Sequence, residues 1–154
     1  MDLIHALSRN RIDLKAHAAT KKRALELVSE CCGSPTDRID FFQALVEREK
    51  LGSTGLGHGV ALPHARLAHL HAPMACFFKL DKPIEYESPD QEPVDLIIGL
   101  FVPEETREGH LELLSQIAQL LSQESVREAL RQCHNVHEAL RLITQPFGDQ
   151  ALVS

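Results

Sequence analysis

Nowhere does the sequence hold an apolar run approaching the roughly eighteen residues that a membrane-spanning helix needs, so no membrane insertion is expected. The opening segment MDLIHALSRNR is too short and mixed for a secretory signal, and a cytoplasmic protein is the expectation. Clusters of basic residues are missing as well: 16 lysines and arginines are scattered among 22 acidic residues, for a net charge of −6. That removes the electrostatic footprint of a nucleic-acid binder and favours a basic or neutral protein partner. No C-x-x-C pattern occurs. Cys31 and Cys32 are adjacent, with Cα atoms about 3.8 Å apart, below the usual range for a disulfide. Cys76 and Cys133 fall in apolar runs, so reduced, packed thiols are expected. The chain also lacks a Gly-Lys-Ser or Gly-Lys-Thr ending to its glycine-rich loop and the spacing of a dinucleotide fingerprint, which disfavours nucleotide binding. Internal repeats, low-complexity tracts and long linkers are absent too.

What remains is 154 residues of ordinary composition, 44% hydrophobic and 25% charged, enough for a proper core. A single domain over residues 1–154 is expected, with its core over about 3–145 and a C-terminal tail over 146–154. Thr20 is placed to cap a helix over Lys21 to Cys32 that Gly33-Ser34-Pro35 ends, and Asp37 to cap another reaching about Glu49. Arg11 to Leu14, Gly59 to Leu62, Met74 to Leu80 and Val94 to Val102 read as strands, the last apolar enough to be central. Pro83 to Tyr86 reads as an edge strand. Helical spacing returns over Arg107 to about Gln123, then from Ser125, as a cap, to about Cys133, and over Val136 to Thr144. This order predicts an α/β fold: a three-layer sandwich with a central mixed β-sheet flanked by helices on both faces.

The most informative stretch runs from Glu47 to His64 and contains Arg48, then Gly52-Ser53-Thr54-Gly55-Leu56-Gly57-His58-Gly59-Val60-Ala61-Leu62-Pro63-His64. Glycines let backbone N–H groups converge on an anion, so Gly55 and its neighbours suit a phosphoryl group. Ser53 and Thr54 add hydroxyls, and Arg48 adds a planar fork matched to phosphate oxygens. His64 is the candidate nucleophile, because an imidazole with a pKa of about 6.5 is available in neutral form at physiological pH. His110 falls in the first turn of its helix, where the dipole disfavours imidazolium, so it would stay neutral and donate to a phosphoryl oxygen. Each feature has a plainer reading: a glycine-rich turn joins many helices to strands, and an arginine in a last helical turn is favoured by the dipole alone. A metal centre among His69, His71, His134 and His137 is the chemical rival, but no recognised zinc arrangement is completed, and neither metal nor cofactor is expected. His58 is a rim residue or a bystander.

The Gly52-to-His64 segment resembles the IIA proteins of the bacterial phosphotransferase system, fructose and mannitol type. The likeness extends to Lys21-Lys22-Arg23-Ala24-Leu25-Glu26-Leu27, Arg48-Glu49-Lys50, Pro93-Val94-Asp95-Leu96, Val102-Pro103 and His110-Leu111, covering roughly residues 3 to 145. The lysine-rich helix start and the Gly-Ser-Thr-Gly opening of the loop are most similar to the nitrogen-regulatory branch. The resemblance implies that a small histidine phosphocarrier of the HPr/NPr type phosphorylates His64 on its outer nitrogen, Nε2, and that Arg48 and His110 line the site. It further implies regulatory protein targets such as potassium-transport or sensor-kinase proteins. Ala65 stands where many members carry glycine. A sugar-transport IIA component feeding a IIB domain is the alternative within the family, disfavoured by the lack of such a domain fused to the chain. A module that has the fold but never carries phosphate is the alternative outside it; the joint presence of Arg48, His64 and His110 argues against that.

Overall fold

The computed structural model describes residues 3–105 and 107–153. In chain order they form α1 (Leu3–Ala6), β1 (Leu7–Ala16), α2 (Lys21–Cys32), α3 (Arg38–Lys50), β2 (Gly55–Gly57), β3 (Val60–Ala61) and β4 (His64–Leu67). Then follow β5 (Met74–Ile84), β6 (Val94–Pro103), α4 (Arg107–Leu121), α5 (Glu124–Gln132) and α6 (Val136–Val153). The six strands make one sheet in the order β1-β5-β6-β3-β2, with β4 also on β6. β6 is antiparallel to β5 but parallel to β3 and β4, so the sheet is mixed.

Period-two alternation along β6 divides the core. Leu96, Ile98, Leu100 and Val102 pack with Leu113, Ile117, Leu130 and Ile143 of the later helices, together with α1. Ile97 and Phe101 turn to the opposite face, against Leu25, Val28, Phe41 and Leu45 of α2 and α3. Helices thus cover both faces, as predicted, and the near-continuous apolar run of β6 is what a strand buried on two sides requires.

Helix α2 begins as the sequence indicates, with the Thr20 hydroxyl accepting from Arg23 N–H at 3.1 Å, and Gly33 follows its last residue. Other boundaries differ. Asp37 makes no capping bond, because its backbone is already helical (φ −101°, ψ −15°) and its carboxylate accepts from the Ser34 hydroxyl at 2.8 Å. Ser125 lies inside α5, whose cap position is Gln123. β1 is ten residues long and pairs in parallel with β5, more than the brief strand expected. Pro83 to Tyr86 is not a separate edge strand: β5 continues to Ile84 past a register shift, where a proline is tolerated, and Tyr86 is fully buried beyond it. The expected tail is also helical, since α6 runs through Pro146 to Val153; Ser154 lies outside the described residues.

The most consequential difference is at Pro63. The sequence suggests that this residue ends a strand; instead it only interrupts one. β3 pairs Val60 with Leu96 and Ala61 with Ile97, and β4 resumes on the same edge with His64 opposite Leu100 in unbroken register. Pro63 lacks the ladder donor yet still accepts from Leu100 N–H at 3.0 Å. His64 therefore opens a strand within a sheet rather than hanging from the end of one.

Candidate functional site

Strand alternation aims His64. Val60 and Leu62 face the layer formed by α4 to α6, and His64 continues that row toward α4 while Ala65 turns into the opposite core. The ring is then held by its own chain: Nδ1 lies 2.8 Å from the Leu62 carbonyl oxygen. A carbonyl can only accept, so Nδ1 carries the proton and Nε2 is left with a free lone pair. Burial pushes the His64 pKa below its ordinary value, and Arg48 pushes it further, against the opposing pull of the Leu62 carbonyl and Glu49. The result favours a neutral imidazole, with the lone pair on Nε2, at neutral pH.

His110, in the first turn of α4, meets His64 edge to face with ring centroids 5.7 Å apart. It is buried, and its Nε2 has no hydrogen-bond partner among the described residues. Burial lowers its pKa to about 4, helped by His64 and by Arg66. A buried ring nitrogen lacking a partner beside a nucleophile is a group waiting for a ligand oxygen. Arg66 was not singled out from the sequence, because a strand ended at Pro63 conceals that His64 and Arg66, two apart on β4, share a face.

The cleft beside His64 has a volume of about 310 Å³ and is lined by Arg48, Ser53, Thr54, Gly55, Leu56, Leu62, Leu114, Ser115 and Ala118 as well as His64. Ser53, Thr54 and Gly55, the loop residues expected beside His64, therefore line its cleft, but their donors are directed inward. Ser53 donates to the Tyr86 carbonyl at 3.0 Å and accepts from Gly55 N–H at 3.1 Å. The Thr54 hydroxyl is buried between Glu49 and the Tyr86 phenol, and Thr54 N–H donates to Glu49 Oε2 at 3.2 Å. Ser53, Thr54 and Gly55 thus shape the wall instead of presenting free donors. Arg48, its Nη1 donating to Gly52 O at 3.0 Å, brings the guanidinium from the last turn of α3.

Glu49 is the residue that sequence reasoning passed over. Besides Thr54 it takes Lys21 Nζ at 2.8 Å, and that ammonium sits 4.6 Å over the Tyr86 ring. Lys21 opens α2, Glu49 lies in the last turn of α3, and Thr54 directly precedes β2, so one carboxylate gathers three segments behind Arg48. The hairpin beyond is fixed similarly. His58 (φ 57°) and Gly59 (φ 80°) form the two-residue turn between β2 and β3, both with the positive φ that a tight hairpin of this kind demands. Asp90 accepts from His58 N–H at 2.8 Å, while Arg131 donates to His58 O at 2.6 Å and clamps Asp95. His58 itself is exposed, as are His69, His71, His134 and His137. Among the described residues no three histidine, cysteine or acidic side chains gather so as to hold a metal ion.

A mixed sheet between helical layers, with a proline-preceded histidine opening one strand and a second histidine on the facing helix, is the frame of a IIA-type phosphotransferase domain. The chain belongs to the family described as phosphoenolpyruvate-dependent sugar phosphotransferase system, EIIA 2, which its residues 5–145 match. Within it, a nitrogen regulatory protein of Pseudomonas aeruginosa is 39% identical over 134 residues, 85% of this chain and 87% of that protein. The crystal structure of nitrogen regulatory protein IIA-Ntr from Neisseria meningitidis superimposes with a TM-score of 0.89 at 37% identity, over 92% of this chain and 99% of that one. IIA mannitol from Escherichia coli gives a TM-score of 0.74 at 26% identity, over 89% and 98% of the two chains.

Proposed function

We propose that this protein is a phosphocarrier of the nitrogen-related phosphotransferase system, accepting a phosphoryl group on His64 Nε2 from a histidine phosphocarrier and regulating partner proteins through its phosphorylation state. The observation that carries the mechanism is the 2.8 Å contact of His64 Nδ1 with the Leu62 carbonyl, which leaves Nε2 free and directed toward the cleft. In-line transfer through a loose transition state asks the protein for position and charge stabilisation. His64 supplies the attacking nitrogen, while Arg48 and His110 Nε2 share the charge on the equatorial oxygens. Ser53, Thr54 and Gly55 keep the wall of the cleft in place.

The donor's docking surface follows from exposure. Leu56 lines the cleft, Leu111 adjoins His110, and Leu51 caps the helix that carries Arg48; they are 41%, 62% and 83% exposed. Large aliphatic side chains left in water around a reactive residue suit a partner that binds apolar contacts and leaves. The nitrogen branch is favoured over sugar transport by the resemblance to the Pseudomonas and Neisseria proteins. On this reading the protein works in the cytoplasm, and no described helix is long and apolar enough to cross a membrane.

The test is incubation with phosphoenolpyruvate, the first enzyme of the system and its phosphocarrier. The expected result is an acid-labile, alkali-stable phosphoryl adduct that His64→Ala lacks. An adduct undiminished in that variant, or none in the parent chain, would refute the reading. Efficient restoration of phosphoryl flow to a sugar through a IIB domain would move the assignment to the transport alternative.

A further inference from the structure

Away from the phosphoryl cleft, on the α2 face of the sheet, three of the four cysteines converge. Val28, Cys31 and Cys32 lie three and four residues apart on α2 and so share a stripe of the helix. That stripe rests where β5 and β6 pair, at Cys76 opposite Gly99. Gly99 leaves the space: a Cβ there would lie 2.5 Å from Val28 Cγ1 and 2.8 Å from Cys76 Sγ, so both side chains already crowd its bare Cα. The sulfur of Cys76 therefore points up at α2, where Cys32 is buried in the same cluster and Cys31 packs against it. Cys32 and Cys76 are buried, whereas Cys31 is partly exposed. None of the three is in a disulfide.

We propose that Cys31 is a peroxide-sensitive thiol that closes a disulfide onto Cys76, stapling α2 to the central sheet. The roles follow from exposure and chain geometry. Cys31 is the thiol that solvent reaches. Cys32 is its chain neighbour, too close at the Cα for ordinary disulfide geometry, which leaves Cys76, presented from another element, as the partner. Electrostatics agree: the neighbouring thiols of Cys32 and Cys76 lower the Cys31 pKa to about 4 against the opposing effect of burial, and Arg11 adds to this. The thiolate is the nucleophile in such chemistry. The Arg11 guanidinium is itself fixed, by Nε to Ala75 O at 3.0 Å and Nη2 to Ala6 O at 2.7 Å.

The steps balance with hydrogen peroxide as oxidant. The Cys31 thiolate attacks the peroxide oxygen, the O–O bond breaks, and the released hydroxide takes a proton to leave as water, giving Cys31 sulfenic acid. The Cys76 sulfur then attacks the sulfenic sulfur, the S–O bond breaks, and the departing hydroxide leaves as water with the proton of the Cys76 thiol. Two thiols are oxidised, one peroxide is reduced, and the S–S bond forms. No metal is involved.

The reduced full-length chain treated with hydrogen peroxide, alkylated and mapped by mass spectrometry should show a Cys31–Cys76 linked peptide, a loss of two hydrogens, and a raised unfolding midpoint reversed by dithiothreitol. Cys76→Ala should trap Cys31 as a dimedone adduct without a disulfide, and Cys31→Ser should leave Cys76 unmodified. In the parent chain, iodoacetamide at mildly acidic pH should label Cys31 well ahead of Cys133. Unchanged thiols under peroxide, a Cys31–Cys32 linkage, or first oxidation at Cys133 would each overturn the proposal, and the parent-chain mapping decides it even if a core variant fails to fold.

Discussion

On the proposed reading a single contact, from the Leu62 carbonyl to His64 Nδ1, would select which nitrogen reacts, and the burial that surrounds it favours the neutral ring. Because His64 is held below its ordinary pKa by burial, phosphoryl acceptance on it should fall less between pH 8 and pH 6 than that of an exposed imidazole. A solvent-exposed imidazole would lose roughly three-quarters of its neutral form over that range. Initial-rate measurements across it, with donor phosphorylation held saturating, check the profile. His110→Ala should slow phosphorylation by about 10- to 1000-fold without abolishing it, since one stabilising donor is removed and the nucleophile remains. A rate equal to the parent's would place His110 outside the transition state. The gathering of His64, Arg48 and His110 was legible in the sequence, from residue types whose chemistry converges. The directions of the Ser53 and Thr54 hydroxyls were not, because a hydroxyl finds the nearest strong acceptor, and the acceptors here are Glu49 and the Tyr86 carbonyl, the latter 33 residues beyond Ser53.

Among elements, the site rests on two clamps behind it. Glu49 joins α2, α3 and the loop through Lys21, Thr54 and Tyr86, and its side chain is only 8% exposed. Removing one member of a buried ion pair strands the other, so Glu49→Ala should cost about 3 kcal/mol, measured by urea unfolding. Lys21→Met with Glu49→Leu should recover much of it, because neither charge is then left unpaired. The second clamp is at Gly59, where a Cβ would lie 2.4 Å from Arg131 Nη2 at φ +80°. Gly59→Ala should therefore destabilise by about 1–2 kcal/mol from the left-handed backbone alone. It should also release Arg131 from His58 O, visible as faster amide exchange across the β2–β3 hairpin. The strongly periodic elements α2, α4 and β6 could be read from sequence, since their apolar spacing is what burial against a sheet imposes. β4 could not, because Pro63 interrupts the ladder donor without interrupting the register. The Asp37 and Ser125 caps failed for a similar reason: propensity names the residue type, while the local backbone decides whether its oxygen reaches an N–H.

At the scale of the whole molecule, His64 and His110 lie on the α4–α6 side of the sheet, Arg48 reaches the cleft from α3 on the other side, and Cys31, Cys32 and Cys76 lie on that α2–α3 side, with β5 and β6 shared between the layers. Global stability should also feel the site. Unfolded, a histidine binds a proton near pH 6.5, whereas folded His110 does so only near 4, so between these values the unfolded chain holds more protons. The stabilisation from keeping His110 neutral is complete above about 6.5 and is lost as pH falls toward 4, and His64 contributes with the same sign. Denaturation midpoints should accordingly fall across that window, and His110→Leu should flatten the fall. The three-layer plan was readable because helices and strands are ordered so that only a covered central sheet buries them all; the meeting of Cys31 and Cys76, 45 positions apart, depends on sheet register and was not.

The Leu62 carbonyl also bears on how long a message written on His64 would last. With phosphorus bonded to Nε2 and the proton retained on Nδ1, the ring would depart as neutral imidazole; without that proton it would have to depart as imidazolate, a far poorer leaving group. One backbone oxygen at 2.8 Å thus keeps the phosphorylated state exchangeable, so that it would act as a short-lived token handed back when supply falls rather than a permanent mark.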